Sequence, residues 1–163
     1  MVGLDGPESW ARLLASEADE WGQHLRAEAH AAVLTAAPML TAAEVARALG
    51  SDAKNPRALV RTLRRRSVLV GVPRPSSRAY AYPAFQIDPS ARRVHPVVQA
   101  VNEAMHAGWD PWGVASWWTS PHGALTPGLA PMHLVGTRRA TDLFVMAGVV
   151  SGSAAARAGR DDQ

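Results

Sequence analysis

The segment Trp112–Leu134 holds three of the chain's six tryptophans and three of its twelve prolines, and it contains no Asp, Glu, Lys or Arg. Indole rings carry a large apolar surface that water does not tolerate in a row. The segment must therefore be packed inside a domain or covered by a partner. Pro121 and Pro127 bound a loop and Pro131 opens a short turn of helix, so the segment folds in short pieces rather than as one rod.

A chain of 163 residues fits one domain, or two very small ones that share a core. The absence of cysteine excludes disulfides, thiolate nucleophiles and cysteine-bound zinc. The longest uncharged runs are broken by Pro, Gly and Ser, and none resembles a membrane span of about twenty apolar residues. The first eight residues, Met1 to Glu8, lack the basic and apolar regions of a signal peptide. The expectation is a cytoplasmic protein with no membrane partner.

Charge is more telling in its distribution than in its net value of +3. Acidic residues crowd the first thirty positions, at Asp5, Glu8, Glu17, Asp19, Glu20 and Glu28. From Lys54 to Arg93 the cations dominate and Asp88 is the only acid. Such clustering suits an anionic partner.

Helical periodicity over residues 9–36, with Ser9 as a cap and Trp10, Leu13, Leu14, Trp21, Leu25 and Val33 on the apolar positions, predicts one long helix ended by Pro38. Its two tryptophans call for packing on the domain, on a second copy, or on both. Thr41 and Glu44 form a capping box for a helix that ends near Gly50. Pro56 starts the next helix, in which Leu59, Val60 and Leu63 point inward and Arg57, Arg61, Arg64 and Arg65 cover the outer surface. Residues 68–73 and 79–83 read as two short strands, joined by a turn with Arg74 and Arg78 at its ends. A polar loop follows through Arg92 and Arg93. Helices are then expected over 97–106, after the Asp110–Pro111 cap, briefly at Pro131, and over 137–149. The Gly-, Ser- and Ala-rich tail from 151 reads as disordered.

Two short helices with an arginine-rich second member, then a basic hairpin, suggest a winged or MerR-like helix-turn-helix. In that geometry the second helix enters the major groove and its arginines reach guanine edges or phosphates. The candidate DNA contacts are Arg57, Arg61, Arg64, Arg65, Arg74 and Arg78. The expected organisation is mainly α. An N-terminal helix (1–38) that can dimerise precedes the helix-turn-helix with its hairpin (39–93), a small helical domain (94–150) and the tail (151–163).

The run Tyr82–Asp88, then Asp110-Pro-Trp112, Trp117-Trp-Thr-Ser-Pro121, Leu125, Gly128-Leu-Ala-Pro131 and Leu134 resembles the Xre/MbcA/ParS group of antitoxins. The match covers roughly residues 39 to 149. It implies a type II antitoxin that binds a NAD-degrading RES-domain toxin and represses its own operon, as a homodimer or a larger assembly with the toxin. By motif matching, the resemblance assigns toxin binding to Trp112, Trp117, Trp118, Pro121, Leu125, Gly128, Pro131 and Leu134. Trp118 stands where the family most often has leucine. The alternative is a stand-alone helix-turn-helix transcription regulator in which the tryptophan module fills the core or mediates dimerisation.

Catalysis is not expected. The histidines at 24, 30, 95, 106, 122 and 133 show no ligand spacing with a carboxylate, and no phosphate loop or dinucleotide fingerprint occurs. No cofactor or metal is implied.

Overall fold

A computed structural model describes residues 7–148, with side chains from residue 11. The long helix already begins at Pro7, so Ser9 lies inside its first turn instead of capping it, while the Trp10 side chain, Val149 and the tail from 151 lie outside the described residues. The chain separates into two compact units, one up to Ala32 and one from Val33 onward. The segments 39–93 and 94–150 both belong to the second. It is mainly helical with small antiparallel sheets.

Helix α1 spans Pro7–Ala36 and stops ahead of Pro38. Met39–Leu40 then forms β1, and α2 follows over Ala42–Ala48. The capping box is present: Thr41 Oγ1 accepts the Glu44 N–H at 3.3 Å, and Glu44 Oε2 accepts the Thr41 N–H at 2.7 Å. These bonds favour the ionised carboxylate and hold the Glu44 carboxyl below its ordinary range. At the other end Gly50 turns left-handed (φ 68°), and the N–H groups of Gly50 and Ser51 close onto Arg47 and Ala46.

Helix α3, Pro56–Arg65, starts where Asn55 Oδ1 accepts the Ala58 N–H at 3.1 Å and Pro56 takes a position that needs no donor. The strands after it are shorter than the sequence pattern suggests, with β2 at Val72–Pro73 and β3 at Tyr80–Pro83. Residues 68–71 are instead drawn into the closing turn of α3 and the core, with the Val68 N–H bonded to the Leu63 carbonyl at 2.9 Å. The sheet order is β1-β3-β2. Met39 faces Pro83, and Val72 faces Ala81.

The loop expected through Arg92 and Arg93 contains a second hairpin, β4 (Ile87–Asp88) with β5 (Arg93–Val94). Asp88 Oδ1 accepts the N–H groups of Ser90 and Ala91, both at 3.1 Å, and this side-chain turn brings the two strands together. Helix α4 covers Pro96–Ala104, and α5 covers Pro111–Thr119. Asp110 Oδ1 caps α5 by accepting the Gly113 N–H at 2.9 Å. Short 3-10 turns span Ala84–Gln86 and Pro131–Leu134. The last helix, α6, begins at 142 rather than 137. The Thr137 hydroxyl accounts for the delay, donating back to the Leu134 carbonyl at 2.7 Å and accepting the Arg139 N–H at 3.2 Å.

Two helix ends use a left-handed residue that is not glycine, Ser67 after α3 (φ 59°) and His106 after α4 (φ 55°). The Ser67 hydroxyl accepts the Gly108 N–H at 2.9 Å, so its side chain is engaged there. His106 is exposed. Replacing a side chain at a left-handed position by glycine relieves steric strain, so His106→Gly is expected to stabilise the protein by about 0.5–1 kcal/mol. Chemical denaturation reads the change.

One hydrophobic core runs through the second unit and includes Val60 of α3, Leu69, Val72, Val98 of α4 and Trp118 of α5. Within it lies a buried polar chain. Gln86 Oε1 accepts the Val70 N–H at 2.8 Å, and its amide donates to the Val70 and Pro83 carbonyls at 2.9 and 3.1 Å. The Asn102 amide donates to Gln86 Oε1 at 3.2 Å and to the Val68 carbonyl at 3.3 Å. Asn102 Oδ1 in turn accepts the Trp118 indole N–H at 2.8 Å. Gln86, Asn102 and Trp118 are fully buried. Partnered in this way, the polar groups hold α4 and α5 in register with the segment leaving α3.

Candidate nucleic-acid interface and the tryptophan module

Val60 of α3 is fully buried and Leu63 packs on the core. This anchors the helix and leaves Arg57, Arg61 and Arg65, each four residues apart, exposed along one face. Arg64 is different. It is half-buried, with its guanidinium carbon 3.9 Å from the centre of the Tyr80 ring on β3. Its Nε is buried without a hydrogen-bond partner among the described residues. The alkyl stem lies beside Gly71, where an added Cβ would be 3.1 Å from Arg64 Cδ and would collide with the Tyr82 ring. Arg64 thus ties α3 to the hairpin. Burial pushes the Tyr82 phenol up from its usual pKa, and the neighbouring Arg64 opposes that shift.

The turn between β2 and β3 closes through the Arg74 N–H to the Ala79 carbonyl at 2.9 Å. Arg78 is exposed on it, whereas Arg74 is half-buried. Arg74 also lies close enough to Glu44 to help lower its carboxyl, so the turn and the start of α2 are neighbours. Arg57, Arg61, Arg65 and Arg78 therefore present free cationic heads, while Arg64 and Arg74 are partly held by the protein.

Trp109 was not among the residues that periodicity singles out, and it is 91% exposed. It sits on the turn between α4 and α5, and that turn is fixed to the end of α3. Gly108 donates to Ser67, and a Cβ on Gly108 would be 3.0 and 3.1 Å from the Arg65 and Arg64 carbonyls. An indole is thus held in solvent beside the arginine-rich helix. The signal for it was its place just before the Asp110 cap, outside the repeat of either helix.

The eight residues of the tryptophan signature divide by burial. Trp118, Leu125, Pro131 and Leu134 are buried, Trp112 and Trp117 are half-buried, and Pro121 and Gly128 are exposed. Phe85 and Trp117 pack on Trp118 with ring centres 5.2 and 5.0 Å away. The Trp117 indole N–H is buried and unpartnered among the described residues, and the His122 ring lies 6.3 Å from that tryptophan. Gly128 takes a left-handed turn (φ 84°).

Among the described residues no three His, Asp or Glu side chains are grouped as a metal site. His122 and His133 each accept a local backbone N–H through Nδ1. No described helix is long and apolar enough to cross a membrane. Compared with protein-family models, curated proteins and solved structures, the chain matches none.

Proposed function

We propose that the chain is a DNA-binding antitoxin. Residues 39–93 act as a winged helix-turn-helix on operator DNA, and the exposed part of the tryptophan module engages a RES-domain toxin. The observation that carries the DNA half is the order α1-β1-α2-α3-β2-β3 with sheet order β1-β3-β2. This order sets an arginine-faced helix next to a basic hairpin. Helix α3 enters the major groove, with Arg57 and Arg61 reaching bases or phosphates. The hairpin carries Arg78 to the backbone beside it, and Trp109 packs against sugars at the edge of the site. The antitoxin half rests on the resemblance quoted above, with Trp112, Trp117, Pro121 and Gly128 as the signature residues a partner can reach.

A second reading has a specific observation in its favour. Half of the signature (Trp118, Leu125, Pro131, Leu134) fills the core, as a stand-alone regulator with no toxin partner would also require. Co-expression with a RES-domain toxin encoded beside the gene separates the two. The antitoxin reading expects co-purification and rescue of growth. DNA binding without either supports the stand-alone regulator.

A further inference from the structure

Along α1, Ala11, Leu14, Ala18, Trp21 and Leu25 recur at spacings of three and four, which places them on one stripe. Leu14, Trp21 and Leu25 are 61%, 67% and 57% exposed. The first residue of α1 that belongs to the buried core is Val33. We propose that residues 11–32 pair with the same segment of a second copy as an antiparallel two-stranded coiled coil, with Leu14 facing Leu25 and Ala18 facing Trp21 of the other chain. The proposal rests on α1 alone and not on the DNA or toxin reading.

Three observations select this occupant and this direction. The first is size. In an antiparallel pair centred between Asp19 and Glu20, each indole meets a methyl group and each leucine a leucine, so successive layers have similar volume. A parallel pair stacks Trp21 on Trp21 and Ala18 on Ala18, which alternates overfilled and empty layers. The second is charge. Residues 11–20 carry Glu17, Asp19 and Glu20 against Arg12, whereas residues 21–32 carry Arg26 against Glu28. Antiparallel pairing lays the acidic half of each copy along the uncharged-on-balance half of the other, where Arg26 offsets Glu28. Parallel pairing sets like against like.

The third observation is Gly22. A helix-interior glycine lowers helix stability relative to alanine. No crowding within the chain asks for it, since a Cβ there would meet only Arg26, at 3.8 Å. It lies with Ala15 and Ala29 on one shoulder of the stripe, a ledge of small residues that lets a second helix approach closely.

The chain has no cysteine, so disulfide trapping in the full-length protein reads the register directly. Positions 14 and 25 are separated by about 16 Å along a helix, and a disulfide needs Cα atoms within about 7 Å. Leu14→Cys and Leu25→Cys are each expected to stay uncrosslinked alone and to form a covalent dimer when mixed and oxidised. The unmodified chain should sediment as a dimer, and the Leu14→Glu/Leu25→Glu double variant as a monomer with an unchanged thermal transition for the second unit. Gly22→Leu should raise helix content yet weaken the dimer, which a role in helix stability alone would not produce. A monomeric unmodified chain overturns the proposal. So does self-crosslinking of Leu14→Cys alone, or a double variant that sediments as the unmodified chain does.

Discussion

Trp118→Ala is expected to destabilise the protein by about 3–5 kcal/mol, the range for removing a large buried aromatic side chain. The indole is fully buried, packs between Phe85 and Trp117, and donates to Asn102. A domain of this size is stable by roughly 5–15 kcal/mol in total, so the variant loses a large share of its folded population at growth temperature. Trp118→Phe keeps most of the ring volume but leaves Asn102 Oδ1 without its donor, a loss of about 1–3 kcal/mol. Urea denaturation measures both. The Asn102 chain runs to the segment that leaves α3, so Trp118→Ala should weaken DNA binding as well as toxin binding. Pro121→Ala, at an exposed position, should leave the denaturation midpoint unchanged, and any loss of toxin binding it shows then belongs to the interface.

Arg57→Ala/Arg61→Ala is expected to weaken DNA binding by about 2–4 kcal/mol, roughly 30- to 700-fold, at unchanged thermal stability. Both side chains are exposed on α3 and neither packs on the core. Arg64→Ala should behave differently. It removes the cation from the face of Tyr80, a contact worth about 0.5–2 kcal/mol, and loosens the junction of helix and hairpin. Its effect on DNA binding should come with a lower melting temperature. Comparing the two variants separates an arginine that touches DNA from one that positions the hairpin.

What could be read from the sequence follows the range of the interactions involved. The starts of α2, α3 and α5 rest on Thr41 with Glu44, Asn55 with Pro56, and Asp110 with Pro111. Each pair acts within four residues, so composition and spacing reveal it. Strands β1, β4 and β5 are two residues long and show no periodicity. β1 is called into a sheet by the free edge of β3, and β4 and β5 by the Asp88 turn. The arginine face of α3 was legible, yet the stacking of Arg64 on Tyr80 spans sixteen residues and was not. The burial of the tryptophan segment was legible as a need. The burial of Trp118 within it is tied to Asn102 and, through it, to Gln86, by hydrogen bonds that span sixteen positions each.

The central claim is that α3 and the hairpin form a cationic DNA-binding face. The most direct test titrates the protein against a duplex from its own promoter over a range of salt concentrations, alongside a scrambled duplex and the Arg57→Ala/Arg61→Ala variant. The expected result is tighter binding to the promoter than to the scrambled duplex. The logarithm of the affinity should fall linearly with that of salt, and the slope should drop by about one for each of the two arginines that contacts phosphate. Equal binding to both duplexes, with affinity and slope untouched by the double substitution, would contradict it.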